Sequence, residues 1–375
     1  MNNDLLYQIS LSIISNIGNV QAKILAHHFD TAEAIFRAPL RVLEKLEGIG
    51  PVRGRAIRDF RDFASAEREI KFIEQYGIRT LYLNDTGYPK RLLHCFDPPT
   101  ILYCKGSAEL NFDKSIAIIG TRSNSQYGKK ATETIIRQLA EQLQHAGKEL
   151  LIVSGLAFGI DAVAHATALE LNIPTVGVLA HGLNTLYPKE HSALARKIIQ
   201  QQGALITEFS SQEQPDKYNF PVRNRIVAGL CDATIVIETG VKGGSMITAD
   251  LAHGYNRDVF AVPGKITDAG SAGCNKLIRQ NKAMLLSDAA ELMDAMGWKK
   301  PEPAAITAAP KALLFPDLNE QETVLVEMLR LQEPIHLEEF SVKTRLSPGT
   351  LAGALLNLEM MQVIESLPGK RYKLR

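Results

Sequence analysis

Between Lys217 and Arg225 the chain reads Lys-Tyr-Asn-Phe-Pro-Val-Arg-Asn-Arg, three basic residues and two aromatic rings in nine positions. Cations neutralise phosphates, and rings stack on bases without reading their sequence. This mixture therefore suits an unpaired polynucleotide strand. Two more positive side chains stand beside glycine-rich runs. Arg122 follows Gly120-Thr121, and Lys242 precedes Gly243-Gly244-Ser245. A third such run, Gly155 to Gly159, carries no charge. Loops of Gly, Ser and Thr let backbone N–H groups meet an anion, and a helix that follows adds the positive end of its dipole.

Each glycine-rich run closes an apolar, strand-like segment and leads into a helix pattern, over Ser115–Gly128, Leu150–Asp161 and Ala233–Asp250. Strands are expected at Ile116–Ile119, Leu151–Ser154, Thr175–Leu179, Leu205–Glu208, Thr234–Glu238, Val259–Val262 and Met284–Leu286. The clearest helices between them are Lys129–His145, Ile160–Leu171, Ala193–Gln202 and Met246–His253, with a shorter pattern at Ile226–Leu230. Near-continuous apolar strands alternating with helices predict a parallel sheet covered on both faces. The expected fold class is α/β, a Rossmann-like doubly wound sheet over residues 115–298. In such sheets the loops after the strands gather along one edge and form the ligand crevice.

The flanks differ. Residues 1–65 predict a helical domain with two helix–Gly-loop–helix segments, Ile14–Leu25 and Leu43–Ile57. The second, with Gly48-Ile49-Gly50 at its turn, resembles the helix–hairpin–helix motif, whose turn offers amides to a DNA phosphate. A plain αα-hairpin is the other reading. Residues 66–114 form a lead-in with strand candidates Thr80–Leu83 and Thr100–Tyr103. Residues 299–316 form a linker, rich in Pro and Ala over Lys299–Lys311. Residues 317–375 predict a winged-helix-like domain: a helix at Gln321–Leu331, helix–turn–helix from His336 to Met361 with Ser347 as N-cap, and a hairpin about Pro368-Gly369. Leu351, Leu355, Leu356, Leu358 and Met360 leave its second helix few polar positions for reading bases, which favours protein contact. The basic tail Lys370, Arg371, Lys373 and Arg375 argues the other way.

The 375 residues are 45% hydrophobic with net charge +1, so any basic surface must be local. No apolar run reaches membrane-spanning length, and no basic-then-apolar signal pattern opens the chain. Cys95, Cys104, Cys231 and Cys274 show no C-x-x-C spacing. A cytoplasmic protein without metal or membrane contact is expected. The dinucleotide pattern G-x-G-x-x-G is absent, and Gly128-Lys129-Lys130 lacks the hydroxyl that completes a Walker loop. Several residues keep two readings. Phe220 stacks on a base or fixes a helix entry. Arg223 and Arg225 contact phosphate or are buried partners for Asp161, Glu208 or Glu238. Asp161 and His165, at i and i+4, form a catalytic pair or a contact that holds a loop. His181 is a loop contact before it is a base.

These stretches resemble DNA-processing protein A, the DprA or Smf family. The shared motifs run in order from DTGYPKRL at Asp85 and DPPTILYCKG at Asp97 to IGTR at Ile119 and Tyr127-Gly128. They continue with SGLAFGIDAVAHATAL at Ser154, TVGVLAHGLNTLYP at Thr175, FPVRNRIVAGL at Phe220, GGSMITADLA at Gly243 and VFAVPG at Val259. His181 departs from the usual pattern, in which glycine stands at the first or second position of Ala180-His181-Gly182. The resemblance implies a non-catalytic, cofactor-free binder of single-stranded DNA in natural transformation. It protects incoming strands, helps load the RecA recombinase and forms a homodimer through the Rossmann-like domains. The implied DNA pocket comprises Arg122, Lys217, Phe220 and Lys242 with the loop backbone around Gly120, Gly155 and Gly243. Thr121, Arg223, Gly244 and Ser245 complete the expected set. The alternative is a nucleoside-monophosphate phosphoribohydrolase of the Lonely-guy type, or a nucleotide-ligand binder. The loop from Lys242 to Thr248 lacks that family's G-T-x-x-E glutamate, and only Asp250 and Glu238 stand near enough to replace it.

Overall fold

Strand β3 (Lys114–Ile119) shows how the sequence pattern becomes a sheet. Its residues alternate between two cores, Ala117 and Ile119 on one face, Ile116 and Ile118 on the other. Side chains of period two, apolar on both faces, leave a strand no stable place but the centre of a covered sheet. The computed structural model describes residues 3–299, 318–344, 346–367 and 369–374. They fall into two units, one on each side of residue 300. The expected linker lies outside the described residues from residue 300 on, as do Pro368 and Arg375.

In the first unit nine described strands form one sheet: β1 (Arg79–Tyr82), β2 (Ile101–Gly106), β3, β4 (Leu150–Ser154), β5 (Thr175–Val178), β6 (Ala204–Thr207), β7 (Ala233–Val236), β8 (Asp258–Ala261) and β9 (Met284–Leu285). Their order is β1-β2-β6-β5-β4-β3-β7-β8-β9. From β3 to β9 all pairs are parallel. The chain runs outward from β3 through β4, β5 and β6, then returns to place β7 on the other side of β3. The centre of the sheet is therefore a topological switch point. The strands expected in the lead-in are present, but they belong to the sheet. β1 pairs with β2 and β2 with β6, both antiparallel, so the sheet is mixed.

The crossover helices match the expected ones closely, at Gln126–His145, Ile160–Glu170, Ser192–Gln200 and Gly244–Gly254. The helix predicted at Ile226 begins seven residues earlier, at Asn219, and ends at Gly229. Pro221 lies in its first turn, where a missing N–H costs no intrahelical bond. Phe220 is thereby fixed on a helix end.

Six helices precede the sheet: Asn3–Ile13, Asn19–His28, Ala32–Arg37, Leu40–Lys45, Gly50–Arg58 and Phe63–Tyr76. Leu11, Leu25, Leu43 and Ile57 share a core with Tyr82, Tyr88 and Leu92, so this helical part packs on the sheet unit. The hairpin at Gly48-Ile49-Gly50 is present, and Gly54 lets its second helix close on Leu40 and Leu43. Arg53 donates to the carbonyls of Asn16 and Gly48 and so ties the turns of the two helical segments together.

The second unit holds helices Glu320–Leu331, Leu337–Thr344 and Pro348–Met360, with strands β10 (Ile335–His336), β11 (Ile364–Leu367) and β12 (Arg371–Leu374) in the order β10-β12-β11. Ser347 caps the third helix through the Thr350 amide. Leu351, Leu355 and Leu358 face its core, whereas Leu356 and Met360 are exposed.

Among the described residues no helix is long and apolar enough to cross a membrane, and no three His, Cys, Asp or Glu side chains gather as a metal site. The four cysteines are buried and free.

Candidate nucleic-acid interface

The three glycine-rich loops follow β4, β3 and β7, which are neighbours at the centre of the sheet. They border a cleft of about 780 Å3. Gly120, Thr121 and Arg122 line it from the first loop, Gly155 from the second, and Gly243, Gly244 and Ser245 from the third. Lys217 lines it from the segment before the Asn219–Gly229 helix, and Phe220 and Arg223 from that helix. Lys242 is exposed on the third loop but is not among the lining residues.

The loops are not equivalent. The first is strapped to the end of β7: the Thr121 amide donates to the Glu238 carbonyl, and the amide and hydroxyl of Ser125 donate to the Glu238 carboxylate. Glu238 is buried, and its fixed role is to hold this loop. Gly120 is glycine because a Cβ there would come within 2.5 Å of Ile160.

In the second loop two amides are already used. The Asp161 carboxylate accepts from Gly155 N at 3.0 Å and Ala157 N at 3.4 Å. The expectation that this loop's amides face an anion is therefore corrected at these two residues. Arg223 donates through Nη1 to the carbonyls of Gly155 and Val178, and a Cβ on Gly155 would strike its guanidinium. Burial pushes the Asp161 carboxyl up, opposed by the Arg223 charge and the two amides.

In the third loop the Gly243 amide donates to the Gly240 carbonyl and the Met246 amide to the Gly243 carbonyl, both at 3.0 Å, which leaves the Gly244 and Ser245 amides for an anion. The helix Gly244–Gly254 starts without a side-chain cap, and the first N–H groups of a helix have no partner within it. A Cβ added to Gly244 would meet nothing within 4 Å, so the space before this helix start is clear. Ser245 turns its hydroxyl inward to Thr239, at 2.7 Å.

Of the two arginines left open by the sequence, Arg225 is structural. It is buried and donates to the Glu208 carboxylate and the Asp97 carbonyl. Arg223 is also buried, yet its side chain forms part of the cleft floor. Burial lowers its pKa to about 10, so it remains charged at neutral pH and gives the floor a fixed positive charge. Above it the exposed Arg122 guanidinium lies over the Phe220 ring, 5.2 Å from the centroid. Phe220 is half-buried. Lys217 rests over the neighbouring ring of Tyr218 at 4.9 Å.

Asp161 and His165 do not bond each other. His165 Nδ1 lies 2.7 Å from the Thr175 hydroxyl, which itself donates to the Ile152 carbonyl. Nδ1 therefore carries the proton, and Nε2 has no partner. Burial pushes the His165 pKa down to about 3. Neither carboxylate weighed for a glycosidic mechanism lines the cleft. Glu238 is buried under the first loop, and Asp250 is exposed and paired with Lys282 at 2.7 Å. Asp161 is the one acid among the lining residues.

Tyr187, which residue type and local spacing did not single out, also lines the cleft. Its only trace in the sequence is its place in the TVGVLAHGLNTLYP motif, more than thirty residues before Phe220. Its ring meets that of Phe220 at 5.8 Å.

The fold is an α/β doubly wound sheet, and its central loops, a helix start without a side-chain cap and Arg122, Lys217 and Arg223 border a carboxylate-poor cleft that offers positive charge to an anion. Residues 79–297 match the family of DNA recombination-mediator protein A, residues 307–370 the DprA winged helix domain, and residues 8–70 the helix-hairpin-helix motif. The chain belongs to this DprA/Smf family. It is 33% identical to protein Smf of Escherichia coli strain K12, over 83% of this chain and 81% of that one. It is 36% identical to DNA processing protein DprA of Streptococcus pneumoniae, over 66% and 89%. The X-ray structure of the S. pneumoniae protein superposes with a TM-score of 0.63 at 32% identity, covering 78% of this chain and 98% of that one. A Helicobacter pylori DNA processing protein A structure, described for its single-stranded DNA binding mode, gives 0.52 at 30% identity, over 60% and 97%.

Proposed function

We propose that the cleft binds single-stranded DNA without sequence preference, and that the chain protects incoming strands and helps load the RecA recombinase during natural transformation. The observation that carries this reading is the Arg122–Phe220 pair, a phosphate-neutralising cation and a base-stacking ring in one contact. Beside it lies an uncapped helix start. The contact set consists of Gly120, Thr121, Arg122, Lys217, Phe220, Gly243, Gly244 and Ser245. Arg223 acts from the floor through its charge, Gly155 through the shape it gives the second loop, and Lys242 at the rim. Kinship with the H. pylori protein supports the choice of a single strand as ligand.

The protein works in the cytoplasm as a homodimer. The helical segment 1–65 and the winged-helix segment 317–375 serve as accessory modules of the 115–298 core, whose sheet the 66–114 lead-in extends with β1 and β2. No catalytic step is assigned to the cleft, because its one lining carboxylate is committed to two loop amides. Salt-titrated binding of oligothymidine against a duplex of equal length tests the reading. Affinity for the single strand should fall with salt, with a log–log slope of about −0.7 per phosphate neutralised. Salt-insensitive binding, or equal affinity for duplex, overturns it.

A further inference from the structure

We propose that Tyr187 is a second stacking ring of the cleft and that His181 is the residue that positions it. The inference rests on the single-strand reading above and adds a specificity element to it. Tyr187 lies in the segment between β5 and the Ser192–Gln200 helix, lines the cleft and is 46% exposed. Its ring is 5.8 Å from Phe220 with 63° between the planes. The two rings meet edge to face rather than stacked, so at most one face of Tyr187 is taken by Phe220, and its exposure leaves the other for a ligand. Arg122, Phe220 and Tyr187 form a row of three planar groups in successive contact. Two bases stacked one on each ring would be splayed by that tilt. An unpaired strand can adopt such an arrangement, whereas a duplex holds its neighbouring bases parallel.

His181 is 1% exposed. Its Nδ1 faces the Gly182 carbonyl at 2.9 Å, and its Nε2 faces the Tyr187 amide at 3.2 Å. A carbonyl only accepts and an amide only donates, so Nδ1 carries the hydrogen and Nε2 is a bare acceptor. The backbone that carries the ring is itself anchored. The His181 carbonyl accepts from the Thr207 hydroxyl at 2.9 Å, and the Gly182 amide donates to the Glu213 carbonyl at 2.9 Å. The imidazole therefore ties the backbone of Tyr187 to the loop after β5, and that loop is bonded in turn to Thr207 at the end of β6.

The test uses the full chain and oligothymidine carrying a single 2-aminopurine, whose fluorescence is quenched on stacking. Tyr187→Ala should weaken binding by about 5- to 150-fold, the range for loss of one stacked base, with the salt slope kept and the quench reduced. Tyr187→Phe should retain both affinity and quench. His181→Ala should reduce the quench in the presence of Tyr187 and have no further effect in a Tyr187→Ala background, as expected of a residue that acts through another. If His181→Ala melts below the assay temperature, His181→Asn takes its place in the cycle. Wild-type affinity and quench in Tyr187→Ala overturn the stacking role, and additive effects of the two substitutions overturn the positioning role. Failure of the wild type itself to bind the single strand overturns the underlying reading instead.

Discussion

The Arg122 guanidinium lies over the ring of Phe220, 5.2 Å from its centroid, although the two residues are almost a hundred positions apart in the chain. Their contributions to binding should separate by salt dependence. Arg122→Ala is expected to weaken binding and flatten the log–log salt slope by about 0.7, one phosphate contact. Phe220→Ala is expected to weaken binding with the slope unchanged. Fluorescence anisotropy with oligothymidine across a salt series measures both. Lys242→Ala, at the rim, should flatten the slope as well.

Arg223 should behave in the opposite way to Arg122. It is buried with two backbone carbonyls and the Asp161 charge around it. Arg223→Met removes the guanidinium donor from the two carbonyls and the balancing charge from Asp161, and should cost about 3 kcal/mol or more of stability. Arg122→Ala should leave the melting temperature unchanged. Urea unfolding of the two variants distinguishes a floor residue from a contact residue.

His165 makes stability depend on pH. Its pKa is about 3 in the fold against 6.5 when exposed. Below pH 6.5 the unfolded chain takes up a proton that the folded chain refuses, so stability is full above that pH and falls as pH drops towards 3. At pH 5 the loss from this residue is about 2 kcal/mol. Urea unfolding at pH 7 and pH 5 measures it, and His165→Asn should flatten the difference.

Glu238 holds the first loop through Ser125 and does not reach the cleft. Incubation of the wild type with nucleoside 5′-monophosphates should release no free base by chromatography. Turnover abolished by Glu238→Gln would restore the phosphoribohydrolase reading.

In the winged-helix unit, the Pro348–Met360 helix has Glu359 as its one charged residue and exposes Leu356 and Met360. A surface of this kind suits a protein partner better than a phosphate backbone. Removal of residues 312–375 should leave oligothymidine affinity within about twofold, judged against the roughly 1–3 kcal/mol of a single stacked base. A large loss measured by anisotropy would assign this unit to DNA.

Near-continuous apolar runs made seven strands legible, and the Gly, Ser and Thr after three of them made the loops legible, because strand formation and loop chemistry depend on residues next to each other. The start of the Asn219 helix was less legible, since Pro221 looks like a breaker unless its place in a first turn is known. The strands of the lead-in could be recognised, but their antiparallel addition to the sheet edge could not, because pairing depends on a partner about a hundred residues away.

By itself, the sequence determined a doubly wound domain with glycine-rich loops, and a supply of cations and rings suited to a strand of phosphates. The tertiary structure alone decided how those residues divide their work. Gly155 and Gly244 are both loop glycines. The amide of Gly155 is taken by Asp161, whereas Gly244 opens an uncapped helix start. Arg122 and Arg223 both stand in stretches that read as phosphate-facing, and only the packing of the Asn219–Gly229 helix against the ends of β4 and β5 buries the second. A hydrogen bond or a burial is a relation between distant positions. It comes into being when the sheet brings β4, β3 and β7 side by side, and no local pattern of residues carries it.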